Sequence, residues 1–280
     1  MRIAVTGSSG FIGSMVREEL DLQGHEYVEI DHQRGIDILG PGVTEAMQYC
    51  DGVIHLAGVL GTAELFDNAE MAIDVNVKGT LRVLQAAQEN SMAYVGITMP
   101  AVWANVYQAT KGAARALASA WHRHHSLRVS HVRAFNVFGE GQKIGMPQKI
   151  VPTFCARALA NEPIPIWGDG KQTVDLIYVR QVARMLIDAL DFGEDEVFDA
   201  GTGVAFSVNE VAQWVLEITD SSAGVEYLPM RMGEHGGGVV ARGEGWEALG
   251  WHPVFDMEDF TYTVNAYRSV IMGTTWTKPN

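Results

Sequence analysis

Cysteine is almost absent, with only Cys50 and Cys155 in 280 residues. Two cysteines without C-x-x-C spacing exclude a disulfide framework and fit a reducing compartment. No apolar run reaches the ~18 residues that a membrane helix needs. Positive charge is scarce as well: 20 Lys and Arg face 34 Asp and Glu, a formal net charge of −14. Nucleic acid and anionic membranes reward positive charge, so neither is an expected partner. A small anion held by a few arginines or by backbone N–H groups remains compatible with this balance. The opening MRIAVTGSSGFIG meets glycines too early for a secretory signal. A soluble, cytoplasmic protein is expected. G-x-S-x-G and H-E-x-x-H are missing too, so neither a hydrolase elbow nor a zinc helix is encoded. His122, His124 and His125 cluster without a matching carboxylate and read as a solvated helix end, with no metal expected.

What is present is a globular composition, 47% apolar and 19% charged. A chain of this length buries about 75% of its unfolded surface and supports at most about two domains. Short β-rich runs alternate with helical periodicity. Strands are expected at 2–5, 27–31, 52–57, 92–98 and 128–135, and helices at 11–22, 75–89 and 107–122. This alternation implies right-handed crossovers and a doubly wound parallel α/β sheet. Beyond residue 139 the pattern breaks at four prolines. Helices are expected near 151–160, at 182–190 and at 208–218, with a strand at 175–179. Ser207 and Glu210 have the spacing of a capping box for the helix at 208. The tail from Gly224 reads as loop-rich, with Gly236–Gly238 mobile. The expected division is a dinucleotide-binding domain, 1–139 and 172–200, and a substrate-binding part, 140–171 and 201–280.

The strongest local signal is Gly7-Ser8-Ser9-Gly10-Phe11-Ile12-Gly13, between the first strand and the first helix. Gly7 permits a tight turn, Gly10 lets phosphate oxygens approach the helix N-terminus, and Gly13 lets helix and strand pack closely. Asp31 ends the second strand, where a carboxylate can accept from a ribose diol and repel a 2′-phosphate. That favours NAD, although His32 and Arg34 lie close enough to leave an NADP-tolerant pocket open. Tyr107 and Lys111 stand at i and i+4, one helical turn apart. A lysine ammonium and an oxidised nicotinamide beside the phenol would favour phenolate. A lowering of ~3 units corresponds to about 4 kcal/mol.

With these residues in order, the sequence resembles the extended short-chain dehydrogenase/reductase family, in its branch of sugar-nucleotide epimerases and dehydratases. The resemblance runs through TGSSGFIG (6–13), Asp31, Asp37-Ile38, VIHLAG (53–58), DVNVKGT (74–80) and YQATK (107–111). It continues in VRAFNVFG (132–139), IWGDGKQTVDLIYV (166–179) and Arg231 to Glu234. It implies a Rossmann-type sheet carrying NAD, with Gly7, Gly10, Phe11, Ile12 and Gly13 at the pyrophosphate and Asp31 on the adenosine ribose. Asp37 and Ile38 would flank the adenine, Leu56, Ala57 and Gly58 would line the cofactor, and Asn76 would sit beside the nicotinamide half. Tyr107 would be the base and Lys111 would hold the nicotinamide ribose. Phe135 would border the cofactor, and Asn136 and Arg231 would meet the substrate, a sugar nucleotide. The helices 76–89 and 107–122 resemble a pair that builds a homodimer.

Two departures stand out. Counting back from Val102, the hydroxyl position of the family falls on Met99, and Thr98 is the nearest stand-in. The segment up to Tyr107 is also much shorter than the family's. Val174 occupies the place of an arginine that grips the diphosphate, with Arg180 and Arg242 as possible compensation. His55 reads as a satisfied core histidine, and Trp103 and Trp167 as core or pocket residues. Three functions stay open: an NAD-dependent sugar-nucleotide epimerase or dehydratase, a net NAD(P)-dependent oxidoreductase of a non-nucleotide substrate, and a noncatalytic NAD-binding module.

Overall fold

The computed structural model describes residues 1–231, 234 and 236–273. Six strands form one parallel sheet in the spatial order Glu194–Ala200, Val129–Ala134, Ala93–Thr98, Gly52–His55, Arg2–Thr6, Glu26–Ile30. From Arg2–Thr6 the chain proceeds one way to its second strand and the other way through the rest. The crevice where the order reverses, at the carboxyl ends of the strands, is where such sheets bind ligands.

Residue alternation explains the two-sided core. Ile3, Val5, Ile54 and Val95 join one buried cluster with Met15 and Leu20 of the helix Phe11–Leu22 and Val182 and Leu186 of the helix Val179–Asp188. Ala4, Val53 and Tyr94 point to the opposite face and join Val83, Leu84 and Ala118 from the helices Thr80–Glu89 and Val106–His125. Strands covered on both faces read as continuous apolar runs. Gly52–His55 is buried at every position.

The acidic strand Glu194–Ala200 carries no such run, and sequence reading left it out. Its buried Asp199 is matched by Arg133 of the neighbouring strand, whose Nε donates at 2.7 Å. The tail is also more regular than expected. It contains the strand Val225–Leu228 and the 16-residue helix Met257–Met272. Phe260, Val264 and Tyr267 of that helix are buried at helical spacing, and Asp256 caps it by accepting from Glu258 N at 2.8 Å. Gly238 passes against Thr173, where a Cβ would stand 2.1 Å from Oγ1. The expected helix at 182–190 begins earlier, at Val179. The capping box forms as expected: Ser207 N donates to Glu210 Oε2 at 2.7 Å, and Glu210 N to Ser207 Oγ at 3.2 Å.

Three two-stranded ribbons accompany the large sheet. They pair Asn136–Phe138 with Leu176–Tyr178, Ile164–Trp167 with Val225–Leu228, and Thr173–Val174 with Phe206–Ser207. Asp175 joins them to the sheet. Fully buried, it accepts from Thr202 N, Thr202 Oγ1, Gly203 N and Ala241 N at 2.6 to 3.0 Å.

Candidate active site

A cavity of about 750 Å3 opens at the switch point of the sheet. Its wall includes Gly7, Gly10, Phe11, Ile12, Gly13, Asp31, Asp37, Ile38, Leu56, Ala57, Gly58, Thr98, Tyr107, Lys111, Phe135, Asn136 and Arg231, while Asn76, Arg34, Arg180 and Arg242, also nominated by the sequence, are not part of it. Trp103 and Trp167 line it too.

The glycine turn forms one end. Gly7 has φ +70°, and a Cβ there would stand 2.8 Å from Ala57 N. A Cβ on Gly13 would stand 2.2 Å from the Gly7 carbonyl oxygen, so helix and turn can meet only without one. The helix that follows has no side-chain cap on Gly10 and no acid in its first turn. Its N-terminal N–H groups therefore offer positive potential to the cavity. Ser9 Oγ is buried beside them without a hydrogen-bond partner among the described residues. Asp31, also buried, accepts from Ser9 N at 3.0 Å and Gln33 N at 2.9 Å. Arg34, a candidate for a 2′-phosphate, is instead paired with Glu29 at 3.4 Å and lies off the cavity wall.

Asn76 stands behind the wall. Its Oδ1 accepts from Val59 N at 2.8 Å, and its Nδ2 donates to Val59 O and Thr110 Oγ1 at 3.1 Å. The segment Ile73–Gly79 that carries it is wound as a π-helix between Ala69–Ala72 and Thr80–Glu89, where sequence reading expected one α-helix. Such insertions re-aim side chains. Here the turned amide fixes the backbone of the cavity wall. His55 is a satisfied core residue, 2.7 Å from Thr6 Oγ1 and 2.9 Å from Thr80 Oγ1, and burial lowers its pKa to about 3.

Tyr107 and Lys111 belong to the long helix Val106–His125, capped by Asn105, which accepts from Gln108 N at 2.9 Å. Thr98 ends the strand Ala93–Thr98 on the same cavity. Burial pushes the Tyr107 phenol up to about 12 and the Lys111 ammonium down to about 8. In the cofactor-free protein desolvation disfavours the phenolate, whereas the lowering expected from the sequence also counts the charge of an oxidised nicotinamide.

The family model of the NAD dependent epimerase/dehydratase family matches residues 3–99 and 97–201. The chain belongs to this family. A UDP-N-acetyl-alpha-D-glucosaminuronate decarboxylase of Bacillus cytotoxicus is 28% identical over 270 residues, covering 81% of this chain and 83% of the relative. A UDP-glucose 4-epimerase of Mycolicibacterium smegmatis is 26% identical, covering 96% and 99%. Among solved structures, the Thermus thermophilus UDP-glucose 4-epimerase in complex with NAD superposes with a TM-score of 0.83 at 25% identity, covering 96% and 99%.

The epimerase/dehydratase match breaks at residues 97–99, where Met99 departs from the family pattern and the segment to Tyr107 is short. Val174 lines the cavity as an apolar residue. Neither arginine named as compensation reaches it. Arg180 pairs with Glu18 at 2.9 Å, and both Arg180 and Arg242 are off the cavity wall. Arg231 does line the wall. It is ion-paired with Glu234 and stacked over Trp167 at 4.6 Å. The wall also contains Lys149, at the start of the helix Ile150–Leu159, which sequence reading missed. A lysine just ahead of Ile150 and Pro152, at a helix start, was the available signal. Of the histidine cluster, His122 bonds the Leu127 carbonyl at 3.0 Å and His125 lies by Gln88. No metal-binding group occurs among the described residues.

The buried Lys111 makes a stability prediction. Its folded pKa of about 8 lies below the ordinary 10.5, so the unfolded chain holds the proton more tightly. Below pH ~8 the buried charge costs about 3 kcal/mol, and stability is regained as pH rises toward the unfolded value. Lys111→Met is expected to raise the melting temperature of the NAD-free protein near pH 7, with little difference near pH 10. A midpoint unchanged at pH 7 would contradict this.

Proposed function

We propose that this chain is an NAD-dependent enzyme that converts a sugar nucleotide through a transient keto sugar, most simply as an epimerase. The observation that carries this reading is one cavity lined by the Gly7–Gly13 turn and Asp31 together with Tyr107, Lys111, Thr98 and Arg231. The residues fit the dinucleotide. An uncapped helix N-terminus and a buried, unpartnered Ser9 hydroxyl suit a pyrophosphate, and Asp31 suits an unphosphorylated ribose. Bound NAD would supply hydride acceptance and return.

This chain's own residues do the rest. Gly7, Gly10, Phe11, Ile12 and Gly13 hold the pyrophosphate. Asp37, Ile38, Leu56, Ala57, Gly58 and Phe135 enclose the cofactor, and Asn76 braces the wall from behind. Tyr107 takes the proton from the sugar hydroxyl, and Lys111 orients the nicotinamide ribose. Thr98 Oγ1 holds the reacting oxygen in place of the missing hydroxyl at Met99. Asn136 and Arg231 hold the substrate. On this reading, 1–139 and 172–200 form the dinucleotide-binding domain and 140–171 and 201–280 the substrate-binding part. The separate six-stranded parallel sheet and the three small ribbons support the division.

We propose a homodimer as well, supported by exposed Met71 and Ile73 and by the exposed small residues Ala109, Gly112, Ala113 and Ala116 of the long helix. Two unpaired, buried cysteines support a cytoplasmic setting, and among the described residues no helix is long and apolar enough to cross a membrane.

The test is a panel of UDP-glucose, UDP-N-acetylglucosamine and UDP-glucuronate with the NAD-loaded protein, read by NMR. The expected result is a new sugar nucleotide without net NADH, from a species sedimenting at twice the 30.6 kDa chain mass. Stoichiometric NADH would mean a net oxidoreductase. No NAD binding and no conversion would overturn the reading.

A further inference from the structure

A second cavity, of about 510 Å3, adjoins the active-site cavity. The two share Thr98 and Met99, and the next residues divide between them: Pro100 lines the first and Ala101 the second. The short segment leading to Tyr107 is thus a common wall. The rest of the second cavity comes from the helix Val106–His125. Its charge is one-sided. The ionisable side chains on it are the exposed Arg115, Arg123 and His124, and no acid lines it. That reverses the balance of a chain with net charge −14. None of the three has a hydrogen bond or ion pair among the described residues. Asp195, which Ser119 bonds at 2.8 Å and His131 at 3.2 Å, is off the lining. The helix dipole accounts for Arg123 and His124 in the last turn. It gives no reason for Arg115, two turns earlier.

The spacing of these groups narrows the ligand. Arg115, Ser119 and Arg123 follow at i, i+4 and i+8, so they share one helix face over about 12 Å. Two arginines at that separation bracket a hydroxyl midway, and guanidinium forks match phosphate oxygens in bidentate geometry. Gln108, half-buried on the same lining, has an Oε1 that is buried without a hydrogen-bond partner among the described residues. An acceptor of that kind suits a ligand hydroxyl. The volume of about 510 Å3 exceeds the needs of a bare phosphate and falls within the range of small-molecule sites.

We propose that this cavity is a second binding site, for a small phosphomonoester that carries hydroxyl groups. Arg115 and Arg123 hold its phosphate, and Gln108 accepts from one of its hydroxyls. The ligand meets Thr98 and Met99 from outside the active-site cavity, so its occupancy adjusts the placement of the Thr98 hydroxyl. The binding stands apart from the sugar-nucleotide reading above, and only the effect on turnover rests on that reading. Gly112 and Ala116 of the lining also belong to the face offered above for the homodimer, so the site borders that contact.

The experiment uses calorimetry on the full NAD-loaded chain at low ionic strength, where exposed charges are least screened. The probes are glucose 6-phosphate, inorganic phosphate and, as an uncharged control, glucose. Glucose 6-phosphate is expected to bind more tightly than phosphate, and glucose not at all. Arg115→Gln combined with Arg123→Gln should weaken glucose 6-phosphate by about tenfold or more, while Arg231→Gln, in the active-site cavity, leaves it unchanged. Gln108→Ala should weaken glucose 6-phosphate and spare phosphate. In the sugar-nucleotide assay, glucose 6-phosphate should change kcat or KM of the parent by about fivefold. The double Gln variant should lose that response with its basal turnover and melting temperature intact. No heat with glucose 6-phosphate, heat that survives the double variant, or heat lost in Arg231→Gln overturns the proposal. Equal affinity for the two anions also overturns it and leaves a site for free phosphate. A double variant that melts with the parent but sediments at half its mass overturns it too and gives the cavity to the subunit contact. Binding that depends on both arginines in a protein that converts no sugar nucleotide would keep this site and remove only the reading above.

Discussion

Tyr107→Phe is expected to reduce turnover by about 10³-fold while leaving NAD affinity and the melting temperature nearly unchanged. Loss of a positioned acid–base group typically removes 10²- to 10⁴-fold. Tyr107 lines the cavity, and its hydroxyl has no hydrogen bond among the described residues, so its removal leaves no orphaned partner. The pKa argument sharpens the expectation. In the cofactor-free protein burial holds the phenol at about 12. Bringing it to neutrality requires about 7 kcal/mol of added preference for the phenolate. Lys111, itself close to titration at about 8, is an incomplete source of that preference. Oxidised NAD, if bound beside the phenol, would supply the rest, so on the proposed reading Tyr107 would serve as base only in the loaded site. Parent turnover should therefore rise with pH as the phenol ionises in the ternary complex, and the Phe variant should lose that limb. Retained turnover in the Phe variant would remove Tyr107 as the base.

Asp175→Ala is expected to have the largest effect on stability, about 4 kcal/mol, or a melting temperature lower by roughly 10 °C. The carboxylate is fully buried and accepts four hydrogen bonds, three of them from backbone N–H groups. An alanine leaves those donors buried and unsatisfied, which is the costly side of removing a hydrogen-bond partner. Asn136 Oδ1 accepts from Asp175 N at 3.2 Å, so the damage should extend to the wall of the cavity. Asp175→Asn keeps the size but loses one acceptor and should fall between the two. Calorimetric melts of the NAD-free proteins decide it. An alanine variant that melts with the parent would show that residues 201–203 and 241 are held by other contacts.

Much of the sheet was legible because its strands are buried on both faces and leave apolar runs between helical repeats. Gly52–His55 and Ala93–Thr98 are such strands. Glu194–Ala200 was not, because its acids are tolerated only by partners far away in sequence, Arg133 above all. The helix Met257–Met272 was missed for a related reason. Its stripe of Phe260, Val264 and Tyr267 interrupts a polar segment, and it becomes a buried face only through packing against the helix Ile150–Leu159. The π-helical winding at Ile73–Gly79 has no local signature either, and its Asn76 bonds Val59, 17 residues away in sequence.

The candidate site divides along the same line. Glycine spacing, Asp31 at a strand end, and Tyr107 one turn before Lys111 are properties of neighbours along the chain, so sequence alone determined them. Whether Arg34 is free or paired with Glu29, and how far burial alone moves the Tyr107 pKa, were decided only by tertiary structure. Ion pairing and desolvation depend on what the fold brings within a few ångströms, and residue order does not encode that locally.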